Sequence, residues 1–103
     1  MIYERIRQLR ESYGLSQAEL ARKLDVTRSS INAWESGLST PTTQYIVALA
    51  KLFHVSADYL LELDGALHIR LDGFQPDEIR LLTEMVMYFD SIRESQNEKA
   101  AAK

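Results

Sequence analysis

The sequence contains no cysteine and only four glycines among its 103 residues. Without cysteine the chain can form neither disulfides nor thiolate metal sites, which predicts a protein of a reducing compartment. Four glycines offer little material for a glycine-rich phosphate loop, and no Ser/His/Asp set or inward pair of carboxylates is evident. His54 and His68 have no ligand partners at metal spacing. We therefore expect neither an enzyme nor a metal or cofactor site.

Long apolar runs are missing as well. No stretch reaches the ~20 apolar residues that a membrane-spanning helix needs. The N-terminal segment is charged from its fourth residue onward and has no apolar core like that of a signal peptide. These observations predict a cytoplasmic protein with no membrane partner.

The chain also lacks an excess of positive charge. It carries 12 basic and 15 acidic residues, a net charge of −3. Residues 1–63 hold seven of each sign, so the acidic excess lies in residues 64–103. A neutral N-terminal half can still bind DNA if its positive side chains cluster on one face, but it offers few phosphate ion pairs per copy. High affinity for DNA would then require two copies.

Five short helices are predicted in residues 1–63. Apolar residues recur at helical spacing from Ile2 to about Tyr13, and Gly14 ends the first helix. Ser16 and Glu19 have the spacing of a capping box, which begins the second helix. The remaining signals are an N-cap at Thr27, a stop at Gly37, an N-cap at Thr40 with Pro41 in the first helical position, and an N-cap at Ser56.

The second and third helices have the pattern of a helix-turn-helix from Ser16 to Gly37. In this motif the first helix braces against the phosphate backbone and the second lies in the major groove. On the second helix, the 100° step per residue directs Ile31 and Trp34 inward. The outward residues are small or hydrogen-bonding, as close approach to base edges requires: Ser29, Asn32, Ala33 and Ser36, with Arg28 on the flank of the first turn.

Residues 3–62 resemble the Cro/C1-type (XRE-like) helix-turn-helix regulators of phages and bacteria. The shared motifs are LSQAELA at 15–21, VTRSSI at 26–31, WESG at 34–37, the proline at 41 and SADYLL at 56–61. The resemblance implies an all-α, five-helix, lambda-repressor-like DNA-binding domain. It also implies a role in transcription regulation, usually repression, with helix 28–36 in the major groove of double-stranded DNA.

The same resemblance implies which residues contact DNA. Gln17 matches a glutamine that holds a phosphate, and Arg10 and Glu35 match a pair that forms a salt bridge in some members. Base contacts fall on Arg28, Ser29, Asn32 and Ala33, and backbone contacts on Ser36, Ser39 and Thr40, while Thr27 completes the set. Arg28 is the best candidate for a specific contact, because a guanidinium can pair bidentately with guanine. The loop after Gly37 departs from the family, since it reads LSTP where relatives often carry Lys or Arg.

Residues 64–95 follow a different pattern. After a turn at Asp64-Gly65, apolar residues alternate with the period of a β-strand, and a long helix then runs from Pro76 to about Ser95. The expected fold is therefore all-α, with a five-helix domain at 1–63 followed by a short β-strand and a long C-terminal helix at 64–95. Residues 96–103 have nothing to bury, which predicts a disordered tail.

The predicted strand needs a partner, because a lone strand leaves its backbone groups unpaired. It pairs either with residues 61–63 or with the same strand of a second copy, and we prefer the second copy because the fifth helix needs residues 61–63. The long helix carries two adjacent apolar stripes, wider together than the ~100° that one packing contact needs. We therefore predict a two-fold homodimer with two recognition helices about one DNA turn apart. Its predicted contact residues are Leu67, Ile69, Leu71, Leu81, Met85, Tyr88 and Ile92.

Two alternatives stay open at this point. The strand and long helix could cap the five-helix domain without forming a dimer. The chain could also be an antitoxin-like interaction module that binds a partner protein through its C-terminal part. At under 40 residues, that part is too small for an enclosed ligand pocket, so no small-molecule ligand is expected.

Overall fold

The computed structural model describes residues 1–63 and 65–101. Within them the chain forms six α-helices and no strand. Asp64, which the sequence places in a turn, and residues 102–103 of the predicted tail lie outside the described residues. The helices are α1 (Ile2–Ser12), α2 (Gln17–Leu24), α3 (Arg28–Ser36), α4 (Thr43–Leu52), α5 (Ala57–Leu60) and α6 (Pro76–Ala101).

Local capping chemistry sets the starts of α2, α3 and α5, as predicted. Ser16 and Glu19 form both halves of a capping box at the start of α2. The side chains of Thr27 and Ser56 accept backbone N–H groups at the starts of α3 and α5. Gly37 ends α3 in the left-handed region at φ 80°, which a residue with a Cβ atom adopts only with strain.

The predicted start of α4 is wrong. We expected Thr40 as the N-cap and Pro41 in the first helical position, but α4 begins at Thr43 and its N-cap is Thr42, whose side chain makes no capping hydrogen bond. Pro41 is buried ahead of the helix. Three threonines lie within four residues here, so the sequence pattern alone does not show which of them is the N-cap. Burial of the proline ring in the packed domain decides it.

The chain divides into two compact units, Met1–Arg70 and Leu71–Lys103. In the first unit, α3 packs against α1 and α2, and α5 packs against α1 and α4. Burial of each large apolar side chain in this core contributes about 1.5–3 kcal/mol of transfer free energy. The core consists of Ile6, Leu20, Ala21, Ile31, Trp34, Leu49, Phe53, Val55 and Leu60.

The predicted strand over Leu67, Ile69 and Leu71 is also wrong, because residues 65–75 form no strand. A strand exists through its ladder of hydrogen bonds, and the described part of the first unit is built from helices that offer no strand edge. Instead, the Arg70 backbone N–H donates to the His54 carbonyl oxygen at 2.8 Å. The His54 ring Nδ1 lies 3.1 Å from the Arg70 carbonyl oxygen. The segment is thus tied to the end of α4.

The second unit is dominated by α6, which begins at Pro76 as predicted but continues to Ala101, beyond the predicted end near Ser95. The Gln75 backbone N–H donates to the Glu78 carboxylate at 2.9 Å ahead of the first turn. Large apolar side chains along α6 stay exposed, among them Leu81, Met85, Val86, Met87 and Tyr88, each more than half exposed. Among the described residues, no helix combines the length and apolarity that crossing a membrane requires.

Candidate nucleic-acid interface

One face of α3 is buried and the opposite face is open to solvent. Ile31 and Trp34 lie in the core, where the Trp34 ring meets that of Tyr45 at a centroid distance of 5.4 Å. The opposite face carries no large side chain beyond its first residue, Arg28, so another surface can approach the helix closely. Its exposed members are Arg28, Ser29, Asn32 and Ser36, and Ala33 is half-buried.

Five predicted DNA-binding residues line a single open concavity between α2 and α3. Gln17 comes from the first position of α2, and the other four come from successive turns of α3. The concavity therefore combines a helix N-terminus, with its unpaired backbone N–H groups, and a guanidinium. The five are Gln17, Arg28, Ser29, Asn32 and Ala33, joined by Leu38.

Beneath this surface, Arg10 of α1 and Glu35 of α3 form the bidentate salt bridge that the sequence suggested. Arg10 Nε donates to Glu35 Oε2 at 2.6 Å and Arg10 Nη2 donates to Glu35 Oε1 at 2.9 Å. A third N–H, on Nη1, donates to the Leu15 carbonyl oxygen at 2.8 Å. The hydrogen bonds that Arg10 donates to Glu35 raise the pKa of Arg10 above its usual value. The pair fixes α3 to α1.

Gln17 connects this ion pair to the exposed face. Its Nε2 donates to Glu35 Oε1 at 3.2 Å and lies 3.5 Å from Asn32 Oδ1. The side chain is half-buried, and it also borders a second open concavity beside Arg7, Ser36 and the ion pair. The position of Gln17 is therefore set by α3 as well as by its own helix.

The remaining predicted contact residues lie at the two ends of α3. The Thr27 hydroxyl is engaged as the N-cap and lies 2.9 Å from that of Ser30. The Ser36 hydroxyl donates to the Ala33 carbonyl oxygen at 3.3 Å, and the Ser39 backbone N–H donates to the same carbonyl at 3.2 Å. Thr40 is exposed in the loop before α4.

The predicted dimer contacts fall in both units. Leu67 and Ile69 are exposed residues of the first unit, while Leu71 opens the second and is half-buried. The rest lie on α6, where they recur every three or four residues and so share one face of the helix. These four are Leu81, Met85 and Tyr88, which are exposed, and Ile92, which is half-buried.

Two residues of the interface were not predicted, Leu38 and Arg7. Leu38 is 82% exposed and lines the concavity beside Arg28 and Ala33, although a leucine normally seeks burial. The sequence does indicate Leu38, because it directly follows the glycine that ends α3 and therefore lies outside the helix, where it has no helical neighbours to pack against. Arg7 borders the second concavity. It lies one helical turn before Arg10, a spacing that places both on one side of α1.

Comparison with known proteins places this geometry in a family. The helix-turn-helix family model matches residues 6–60. YobD, an HTH-type transcriptional regulator of Bacillus subtilis, is 38% identical over 63 residues, which cover 61% of this chain and 56% of YobD. The antitoxin PezA of Streptococcus pneumoniae is 29% identical over 99 residues, covering 88% of this chain and 63% of PezA.

A solved structure shares the fold of the first unit. The crystal structure of the P22 c2 repressor in complex with a synthetic operator is 34% identical, with a TM-score of 0.59 over 62% of this chain and 97% of that one. The match covers less than two thirds of the length of these curated relatives, 56% of YobD and 63% of PezA. The matched family model covers every core residue, from Ile6 of α1 to Leu60 of α5. The chain therefore belongs to the helix-turn-helix family.

Proposed function

We propose that this chain is a sequence-specific, double-stranded DNA-binding regulator of transcription, with repression as its main role. The observation that carries the proposal is the open face of α3, where Arg28, Ser29 and Asn32 share one concavity with Gln17 at the start of α2. The major groove is about 12 Å wide and admits an α-helix of about 10–12 Å diameter. Small polar side chains on that face let the helix approach base edges.

The roles divide between the two helices. Arg28 supplies the strongest base contact, because its guanidinium can donate to both O6 and N7 of guanine. The N-terminal backbone N–H groups of α2, beginning with that of Gln17, receive a phosphate. Ser36, Ser39 and Thr40 contact the backbone beyond α3, and Thr27 does so at its start. The P22 c2 repressor binds operator DNA with the same fold, which supports this arrangement.

The working unit in this proposal is a homodimer held by α6. Residues 1–63 carry no net charge and therefore bind phosphates weakly. Tight binding to DNA then needs two copies. Leu81, Met85, Tyr88 and Ile92 recur at alternating spacings of four and three residues, the pattern of a helix–helix seam. A second copy of α6 covers this seam and spaces the two α3 helices on a two-fold symmetric site. In this role the chain acts in the cytoplasm and catalyses no reaction.

Selection of bound duplexes from a random pool tests this proposal. We expect the chain to enrich a defined motif, and Arg28→Ala to relax the preference at one base pair by about 5- to 100-fold. Arg80→Ala is the matched control, since it makes the same change on α6 away from the seam. Enrichment of no motif by the unmodified chain contradicts the proposed function.

An antitoxin-like function is the second candidate, favoured by the match to PezA, which extends beyond the helix-turn-helix domain. In this alternative α6 binds a partner protein, and the acidic excess of residues 64–103 meets a basic partner surface. Co-expression with the product of an adjacent reading frame distinguishes the two. A stable complex that is lost in Met85→Glu favours the antitoxin, whereas a self-associating chain that ignores the neighbouring product favours the homodimer.

A further inference from the structure

The buried carboxylate of Glu35 binds a second side chain besides that of Arg10. Only 4% of its side chain is exposed, yet one of its oxygens, Oε1, is shared by two donors. Arg10 Nη2 donates to it at 2.9 Å and Gln17 Nε2 donates to it at 3.2 Å. The ion pair is therefore directly connected to a side chain of the proposed DNA-binding surface.

This contact determines which way the Gln17 amide points. An ionised carboxylate only accepts hydrogen bonds, so the NH₂ group of Gln17, and not its oxygen, must face Glu35. The amide nitrogen carries two hydrogens, and the second is directed toward Asn32 Oδ1, 3.5 Å away. At that distance the contact is weak. It still favours the orientation of the Asn32 amide in which Oδ1, and not the NH₂ group, faces Gln17.

The orientation of Asn32 has a consequence for base recognition. With Oδ1 turned toward Gln17, the group of Asn32 that remains for the groove is its NH₂, a donor. Guanine presents two acceptors in the major groove, O6 and N7, whereas adenine presents the N7 acceptor beside an N6 donor. An asparagine reads adenine with both its oxygen and its nitrogen, and here the oxygen is engaged.

We infer that Glu35 and Gln17 act as positioning residues that make Asn32 a hydrogen-bond donor, so that Asn32 selects guanine over adenine at the base pair it contacts. This inference rests on the proposed DNA-binding function and specifies the base chemistry of that surface. Asn32 is exposed and lines both concavities of the interface, so it is accessible to a base edge.

The test is a ratio of affinities for duplexes that differ at one base pair. Random-pool selection with Asn32→Ala first identifies the position whose base preference depends on Asn32. The unmodified chain should then prefer guanine to adenine there by about tenfold. Gln17→Ala should bring the ratio close to one, because Asn32 is then free to turn its oxygen outward. Asn32→Asp, which offers only acceptors, should reverse it.

Matched variants separate positioning from phosphate binding and from folding. Ser39→Ala removes a proposed backbone contact and should weaken both duplexes equally, leaving the ratio intact. Gln8→Ala makes the same chemical change as Gln17→Ala at an exposed site on α1 and should alter neither affinity nor ratio. Circular dichroism shows that each variant is folded before its affinities are compared.

Several results overturn the inference. A guanine-to-adenine ratio that is unchanged in Gln17→Ala shows that Gln17 does not position Asn32. Preference of the unmodified chain for adenine, or a motif that Asn32→Ala leaves untouched, contradicts it as well, while DNA binding through Arg28 stands. Absence of any sequence preference in the unmodified chain removes the proposed function together with the inference.

Discussion

The two units of this chain treat their apolar side chains in opposite ways. Met1–Arg70 buries nine apolar residues in one core and presents a small, polar helix face outward. In Leu71–Lys103, the helix α6 leaves Leu81, Met85 and Tyr88 between 53% and 63% exposed. Single exposed apolar residues are ordinary on a protein surface, but a row at helical spacing is typical of an interface. The first unit thus buries its own core, and we propose that a partner covers the exposed row on α6 of the second.

The largest expected difference between the units follows from truncating one leucine in each. Leu20→Ala removes a fully buried side chain and should lower the free energy of unfolding by about 2–5 kcal/mol. Leu81→Ala should change it by less than about 0.5 kcal/mol in chains too dilute to associate, since Leu81 is exposed there. Urea unfolding at low protein concentration measures both. Equal losses in the two variants would show that α6 is part of a single core.

A loss within the same range is expected from the ion pair that joins α1 to α3. Glu35→Leu removes the carboxylate that neutralises the guanidinium of Arg10, only 12% exposed, and should cost about 3 kcal/mol. The double variant Arg10→Met, Glu35→Leu should recover most of that loss, because no uncompensated charge remains. Chemical denaturation of the three proteins provides the comparison. Failure of the double variant to recover stability would mean that the pair serves more than charge compensation.

A charge on the α6 seam should separate the two copies of the proposed dimer with little effect on the fold of each copy. Met85→Glu places a carboxylate among exposed apolar side chains and should shift the chain from dimer to monomer. DNA affinity should then fall by at least about tenfold, since one copy supplies few phosphate contacts. Sedimentation and DNA titration measure the two effects. Glu84→Gln, an exposed change outside the seam, is the control. A dimer that persists in Met85→Glu places the interface elsewhere.

The smallest expected effect is the pH dependence of the capping box in α2. The Ser16 backbone N–H, and next the Ser16 side chain, lower the pKa of Glu19 below its usual value. The carboxylate therefore stabilises the fold above the pKa of an unfolded-chain glutamate, and this stabilisation is lost as the pH falls through the lower pKa of the folded state. Thermal melts across the acid range should show a shallower decline in Glu19→Gln than in the unmodified chain. Identical slopes would exclude a stabilising role for this carboxylate.

Local chemistry explains why much of the first unit could be predicted. Ser16, Thr27 and Ser56 cap helices through bonds that span three residues, so the sequence alone contains the whole interaction. The outward residues of α3 follow from the helical period once Ile31 and Trp34 are assigned to the core. These predictions depend only on neighbours in the chain.

What could not be predicted depends on distant partners. The alternation of Leu67, Ile69 and Leu71 suits a strand, but a strand needs an adjacent strand, and Arg70 pairs with His54 instead. The start of α4 depends on burial of Pro41, which is a property of the packed domain. The contact of Gln17 with Glu35 spans 18 residues, and no local pattern indicates it. The roles assigned to the DNA-binding and dimer residues stay predictions.

The number of chains bound to a selected duplex shows whether two copies joined through α6 bind DNA together. Mass measurement of the complex in solution, on a duplex enriched from a random pool, counts the copies, while the motif shows their arrangement. We predict two chains per duplex on two inverted half-sites centred about one helical turn apart. One chain on a single half-site would contradict the claim that α6 joins two copies. Binding without any enriched motif would contradict the claim that α3 recognises a base sequence.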